Sequence, residues 1–439
     1  MTCDEVELRE QIGASPEAAP LAYPRPDYSQ KFRCLGKDCD ENCCNGWSIP
    51  VDQQTLDTYR QHPTLKPFAD HLIVIDTQSS HPGEAARMPL TNSGTCAFLN
   101  EEKLCGIHAH FGPGLLSNAC ATYPREISHH KGRPEAALNL SCPEAARLTL
   151  LEPNLLGSGP WQLFGAKRYT HIPYASRLPS DFDPILALRE LVLLLISDPT
   201  YPLWQRLHII GDLAQRLEIL SGGSNPRQWA RKNPGAIAKV IDATTDAVAF
   251  HTFSLPEALP DPSLQLRYTA EVIRVRLAEM PVPAPFLSLV QSFQAGLGCE
   301  PERTATLTEA QIAHTFQCAY RHHARPLLDR HPQLIGNFLI NHIFKYAYPF
   351  GRARNGASLE TPTKQHLTLV AHLALTQTLL VGLAAHHREG LTTDHVVRLV
   401  QSLAKAIEHR PASVAHMTQL LHDQNLTTPA AQAQLLQLG

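Results

Sequence analysis

The chain has 439 residues, more than one ordinary core accommodates, so two or three cooperating units with a sizeable apolar interior are expected. A formal net charge of −3 and a pI near 6.8 provide no global positive field, which argues against nucleic acid as the main partner and against a membrane-surface protein. Eight of the eleven cysteines fall between Cys34 and Cys142, and the other three are scattered singly.

Residues 1–28 are acidic and then proline-rich, lack the charged-then-apolar pattern of an export signal, and read as a loose leader of a cytoplasmic protein. Pro24 to Phe32 reads as extended, and Gly36 supplies a tight turn between Cys34 and Cys39. After Cys44, Asp52 has the chemistry to cap a short helix from Gln53 to Gln61 that Pro63 stops. Asp76 to Thr95 is a polar loop broken by Pro82, Gly83, Pro89 and Gly94, and it delivers Cys96. Leu104 to Cys120 reads as a kinked or two-part helix that ends at Tyr123-Pro124-Arg125. Ala136 to Leu140 is strand-like, and Cys142-Pro143 opens a helix to Leu151 with proline in its first turn. The cysteine-rich unit is therefore drawn at 29–155.

From residue 156 onward the apolar period becomes 3.6. Helices are expected at Ile185–Ile196, Leu203–Leu220, Ala236–Ala249, Pro262–Met280, Phe286–Leu297, Glu309–His323, Pro332–Tyr346, Pro362–His387, Thr393–His409 and Ala412–Asp423. Alternating strands with Gly-rich turns are missing, which disfavours a doubly wound sheet. The fold class is mainly α: a Cys-rich N-terminal metal or cluster module packed on a multi-helix domain, 156–439. The longest apolar run, Leu367 to Leu383, carries Thr368, His372, Thr376, Gln377 and Thr378, and reads as a buried core helix instead of a membrane span.

Eight clustered cysteines in a chain without an export signal favour metal ligation over a disulfide framework. A four-thiolate site suits zinc or an iron–sulfur cluster, and the spacing Cys34-x4-Cys39-x3-Cys43 leaves the two level. Cys43 and Cys44 are adjacent, and both binding one atom is strained, so one of them ligates while the other packs or serves a second centre. Cys3, Cys299 and Cys318 read as isolated packed thiols. The histidine pairs His129-His130 and His386-His387 lack His-Glu-x-x-His spacing, and neither a Gly-x-Ser-x-Gly elbow nor a phosphate-binding Gly-Lys-Ser/Thr loop occurs, so hydrolase and NTPase readings lack support.

Phe32-Arg33-Cys34-Leu35-Gly36 with Cys39, Cys43-Cys44, Gly46-Trp47 and Asp52 forms the first of several matching stretches. Cys96-Ala97-Phe98-Leu99-Asn100, Leu104-Cys105, Leu116-Ser117, Cys120, Tyr123-Pro124-Arg125 and Leu140-Ser141-Cys142-Pro143-Glu144 follow, then Asn337 to Phe350 and Ile407-Glu408-His409. On these residues the chain resembles the bacterial flagellin lysine-N-methylase family. The resemblance implies methylation of lysine side chains on flagellin as protein substrate, with S-adenosylmethionine as donor. It also raises an iron–sulfur cluster, of the 4Fe-4S kind, above zinc, with at least four of Cys34, Cys39, Cys43, Cys44, Cys96, Cys105, Cys120 and Cys142 as ligands. No Gly-x-Gly-x-x-Gly follows a strand, so the usual nucleotide signature for the donor is missing. A non-enzymatic metal-cluster or adaptor protein, and an electron-transfer or redox protein, are the alternatives.

Methyl transfer needs a neutral lysine amine, whose ordinary pKa is about 10.4, and a pocket that tolerates a sulfonium cation beside tyrosine or carboxylate. Asn341, His342 and Tyr346 are the catalytic candidates: on a helix Asn341, Lys345 and Tyr348 share one face, and His342 lies near Tyr346. The competing reading makes them buried, hydrogen-bonded structure. Tyr123 and Arg125 are the donor-binding candidates, with Arg125 either holding a donor carboxylate or pairing with Glu144 to brace the cysteine loops.

Overall fold

Aspartate, asparagine and threonine followed by proline punctuate this chain, and in the computed structural model that pairing starts helix after helix. The structure describes residues 28–438 except 40, 46–48, 76–83, 93, 103, 131–132, 157–181, 258, 280–281, 301–306 and 352–359. Residues 1–27, Gly46-Trp47-Ser48 and Met280 thus lie outside the described residues.

The N-terminal third is built from short pieces. Helical turn α1 (Tyr28–Lys31) stands where an extended entry was expected, because Tyr28 and Phe32 bury their rings in the helical core from one side of a turn. Asp52 accepts the Thr55 N–H and caps α2 (Gln53–Gln61) as anticipated; α3 (Lys66–His71) follows. Strands β1 (Pro50–Val51), β2 (Ile73–Val74) and β3 (Ala86–Arg87) form an antiparallel sheet with β3 central, Arg87 lying opposite both Pro50 and Ile73. The two-part helix is α4 (Gly106–Phe111) and α5 (Asn118–Thr122), separated by Gly112 at φ 76° and a 3-10 turn. A hairpin of β4 (Arg125–His130) and β5 (Arg133–Leu138) and helix α6 (Pro143–Leu151) complete this third; β4, rich in polar residues, was not foreseen.

Two apolar cores result. Ile49, Val51, Leu56, Tyr59, Met88 and Ile107 belong to a small one, with Cys96 buried in it and Cys44, Cys105 and Cys120 packed against it. Leu138, Leu140, Cys142 and Leu150 bury instead in the large helical core, so the hairpin and α6 dock on the helices.

The helical portion runs α7 (Pro184–Ser197), α8 (Leu203–Ser221), α9 (Pro226–Lys232), α10 (Pro234–Ala249), α11 (Pro262–Ala278) and α12 (Ala284–Leu297). It continues with α13 (Glu309–Ala319), α14 (Arg325–Arg330), α15 (Gln333–Tyr346), α16 (Pro362–His387), α17 (Thr393–Leu403), α18 (Pro411–Asp423) and α19 (Pro429–Leu436). The helix expected over Glu309–His323 carries a π-wound turn, Tyr320–Ala324, just before Pro326, whose missing N–H disturbs the ladder there. A second π-wound turn, Ala404–Glu408, extends α17. Short helices α9 and α19 were not foreseen, although Asn225 and Thr428 cap them.

Helix α16 is the axis of the large core. It is long and apolar enough to cross a membrane, yet its apolar window is wholly buried among neighbouring helices, including α8, α11, α12 and α13. Gly296 of α12 and Gly382 of α16 permit the tightest crossing: a Cβ on Gly382 would fall 2.2 Å from the Phe293 ring.

Candidate functional site

Helix α15 carries three polar side chains at four-residue spacing, two of which, Asn337 and Asn341, hold the N-terminal third. Asn337 donates to the carbonyls of Thr149 (2.9 Å) and Glu152 (2.7 Å), satisfying the end of α6. Asn341 clamps the end of β5, donating to Leu138 O (2.9 Å) and accepting from Leu138 N (3.0 Å) and the Tyr28 hydroxyl (2.5 Å). One turn on, the Lys345 ammonium pairs with the Glu408 carboxylate; both side chains are 9% exposed. Tyr346 Oη stands 3.5 Å from the same carboxylate. Tyr348 is buried beyond the helix end at Ala347, which adopts φ 52°, and its carbonyl accepts from Arg189.

Behind this pair lies an imidazole-rich layer. The His342 and Tyr346 rings are 4.3 Å apart between centroids, and His372 of α16 stands 5.4 Å from His342. His372 Nδ1 meets the Thr368 carbonyl at 2.8 Å, while the Nε2 atoms of His342 and His372 are buried and have no hydrogen-bond partner. Burial, reinforced by His372, holds His342 well below the ordinary imidazole range; burial also depresses His372. Both rings are therefore neutral at pH 7. Burial would raise the Glu408 pKa, but the charge of Lys345 and its hydrogen bond outweigh it and lower it to about 2. Burial would lower Lys345 in turn, and the Glu408 carboxylate overrides it.

The segment from Gln401 to His409 ties this pair to the cysteines. Gln401 Nε2 donates to Glu41 Oε2 (2.7 Å) and to Ser141 O (3.1 Å); Lys405 Nζ donates to Glu41 (2.9 Å). His409 Nε2 lies 2.7 Å from Ser141 Oγ, which also meets Tyr123 Oη at 2.9 Å and donates to Asn139 Oδ1 at 2.8 Å. Glu41 sits between Cys39 and Cys43, and Ser141 precedes Cys142.

None of the ten described cysteines forms a disulfide. Cys43 is lowered to about 7, first by a hydrogen bond from the neighbouring Cys44 thiol and also by the charge of Lys405, and Cys44 is correspondingly raised. Burial pushes Cys120 and Cys142 up to about 12, and Cys96 upward as well. Cys96, Cys105 and Cys43 act on Cys120 through space, whereas Cys39 and Cys43 act on Cys142. Among the described residues no three His, Cys, Asp or Glu side chains converge closely enough to hold a single ion.

Of the donor-binding candidates, Tyr123 borders this cysteine group and its hydroxyl is engaged by Ser141. Arg125 does brace the entry segment, but through the carbonyls of Ser29 (3.3 Å) and Phe32 (3.2 Å) and the face of the Phe32 ring. The expected Arg125–Glu144 pair does not form; Glu144 pairs with Arg147, three residues on along α6, at 2.6 Å. Cys299 and Cys318 are separate thiols, and Cys3 lies outside the described residues. Near the end of α16 the His387 ring meets His386 edge-to-face, 4.8 Å between centroids, and lies tilted over His395 at 3.9 Å.

Glu408, Lys345, Gln401, Lys405 and Ser141 were missed as site residues. Lysine between Phe344 and Tyr346 in an apolar helix was the available signal, since burying it requires a carboxylate.

The family model described as the FliB lysine N-methylase C-terminal domain matches residues 189–435, more than half of the chain. The chain belongs to the flagellin lysine N-methylase family. It is 32% identical over 139 residues to the lysine-N-methylase of Salmonella typhimurium, covering 31% of this chain and 34% of that protein. It is 31% identical over 147 residues to the flagellar biosynthetic protein FliU of Salmonella muenchen, covering 33% of this chain and 86% of that protein. The lysine-N-methylase of Salmonella choleraesuis is 31% identical over 139 residues, again 34% of its length. The chain thus spans about a third of the length of the lysine-N-methylases it matches. No solved structure matches. His342, Lys345, Tyr346, His372 and Glu408 all fall within the region of the family model, and the eight clustered cysteines fall before it.

Proposed function

We propose that this chain N-methylates lysine side chains of flagellin in the cytoplasm with S-adenosylmethionine as donor, and that its clustered cysteines hold an iron–sulfur cluster. The buried Lys345–Glu408 pair beside two unpartnered imidazole nitrogens carries the reading, because it lies within the family region and supplies what the reaction needs. A substrate ammonium entering this apolar surround loses hydration, which lowers its pKa toward the neutral form. Neutral His342, with Nε2 free to accept, takes the proton. Tyr346 and the ionised Glu408 favour a positive sulfonium nearby. The amine lone pair forms the new N–C bond as the C–S bond breaks; the thioether leaves, and the extra proton on nitrogen passes to an imidazole. Asn341, whose amide is spent on Leu138 and Tyr28, positions α15 and touches neither reactant.

The cysteines suit the cluster by chemistry: soft thiols, several raised by burial, whose protons a thiophilic iron centre displaces. A cluster spreads its ligand sulfurs around several irons and asks for less convergence than one tetrahedral zinc. When bound, the cluster would supply a redox-active centre held by these thiols. Full-length protein loaded with iron and sulfide, incubated with flagellin and methyl-labelled S-adenosylmethionine, is expected to place label on lysine. No incorporation by folded, loaded protein would falsify the enzyme reading and favour an adaptor.

A further inference from the structure

We propose that helix α9, where it packs on α7, holds a small oxyanion, a carboxylate or a phosphate group, gripped by Arg227 with Arg231 beside it. The site is separate from the cysteines and from the imidazole layer.

Helix α9 carries Arg227, Arg231 and Lys232 and no acidic side chain. Its Pro226 and Ala230 are buried and Trp229 packs against the large core, so that face lies on α7 and α8. Arg227 and Arg231, four residues apart, stand one above the other on the flank of the buried face. Arg231 is exposed, whereas Arg227 is half-buried and its Nε is buried without a hydrogen-bond partner. Neither arginine enters an ion pair or a hydrogen bond among the described residues.

The carboxylates within reach of Arg227 are already engaged. Glu135 Oε2 accepts from Arg189 Nη1 at 2.5 Å, with both side chains buried, and Arg189 Nε donates to the Tyr348 carbonyl at 3.3 Å. Asp183 Oδ1 accepts the Ile185 and Leu186 N–H groups at 2.9 and 3.2 Å as the cap of α7. Three guanidiniums thus share two carboxylates, and Arg227 is the one without a partner. Burial, then the charges of Arg231 and Arg189, hold Arg227 below its ordinary range, against the pull of Glu135 and Asp183. A guanidinium does not shed its proton at neutral pH, so relief comes from an acceptor outside the chain.

The donor geometry names the class of acceptor. Nε–H and the adjacent Nη–H point the same way as a rigid fork, which two oxygens of one carboxylate or phosphate match and a halide does not. Arg231, one turn on, adds a second positive charge to the same flank.

Isothermal titration of the full-length protein at fixed ionic strength, with inorganic phosphate and separately with a blocked Ala-Glu-Ala peptide bearing one carboxylate, tests the site. Wild type is expected to bind at least one of them, and the one it prefers tells a free phosphate from a peptide side chain. Arg227→Met should bind about tenfold or more weakly, and Arg231→Gln, at an exposed position, several-fold more weakly. In chloride alone Arg227→Met should melt at or above wild type, because an uncompensated charge is gone while the packed stem remains. The bound anion should raise the melting temperature of wild type and leave that of Arg227→Met unchanged. Wild type that binds neither anion overturns the site, as does either variant binding as tightly as wild type. Arg227→Met melting below wild type in chloride also overturns it, since the guanidinium would then already have its partner.

Discussion

Replacing Glu408 by glutamine leaves the Lys345 ammonium buried without its counter-ion, and two estimates of the cost converge. Its carboxyl lies at about 2 against an ordinary 4.5, which corresponds to about 3 kcal/mol of favourable interaction at neutral pH. Removing one partner of a buried pair costs about 3–5 kcal/mol in general. Glu408→Gln is thus expected to reduce the folded-to-unfolded ratio by roughly a hundredfold or more, read as a lower denaturant midpoint in far-ultraviolet circular dichroism. The double variant Lys345→Met, Glu408→Leu removes both charges and should recover most of the loss, since an apolar pair of similar volume fills the same space. The depressed carboxyl contributes stability above pH 4.5 that disappears as pH falls through about 2. A Glu408→Gln protein within about 0.5 kcal/mol of wild type, or a double variant no more stable than the single, would refute the reasoning.

Four further outcomes follow from the same interior. His342→Gln should fold with a wild-type midpoint and lose methylation by about a hundredfold or more, as loss of a proton acceptor does. Asn341→Ala should instead lose about 1–3 kcal/mol by orphaning the Leu138 amide and carbonyl, with activity per folded molecule largely kept; the reverse pattern would exchange their roles. Gly382→Ala drives a Cβ into the Phe293 ring and should cost about 1–3 kcal/mol, measured by thermal melting against Gly390→Ala, where a Cβ meets open space. Burial lowers both His366 and His409 from 6.5 to about 4, so the unfolded chain takes up protons first and stability should fall as pH drops from 6.5 toward 4. His366→Leu should flatten that dependence, and an unchanged slope would show that His366 does not contribute to it.

Much of the helical portion could be read from local chemistry. Asp183-Pro184, Asp261-Pro262 and Thr361-Pro362 each open a helix, with the side-chain oxygen taking an orphan N–H and proline occupying a position that needs none. Asp52 and the break at Gly112 and Pro113 are legible for the same reason. The π-wound turns at Tyr320–Ala324 and Ala404–Glu408 were not, because they are adjustments to packing that leave no period in the sequence. The proximity of His342 and Tyr346 follows from four-residue spacing on one helix; the arrival of His372 beside them does not.

By itself the sequence determined the family, the helical class and the concentration of thiols in the first third, since caps, periodicity and composition are local properties. Only the tertiary structure decided which residues meet. Glu408 comes to Lys345 from 63 positions away, and Gln401 and Lys405 reach Glu41 across 360 and 364. A buried charge must find its partner wherever the packed chain delivers one, and that partner carries no mark in the sequence around either residue.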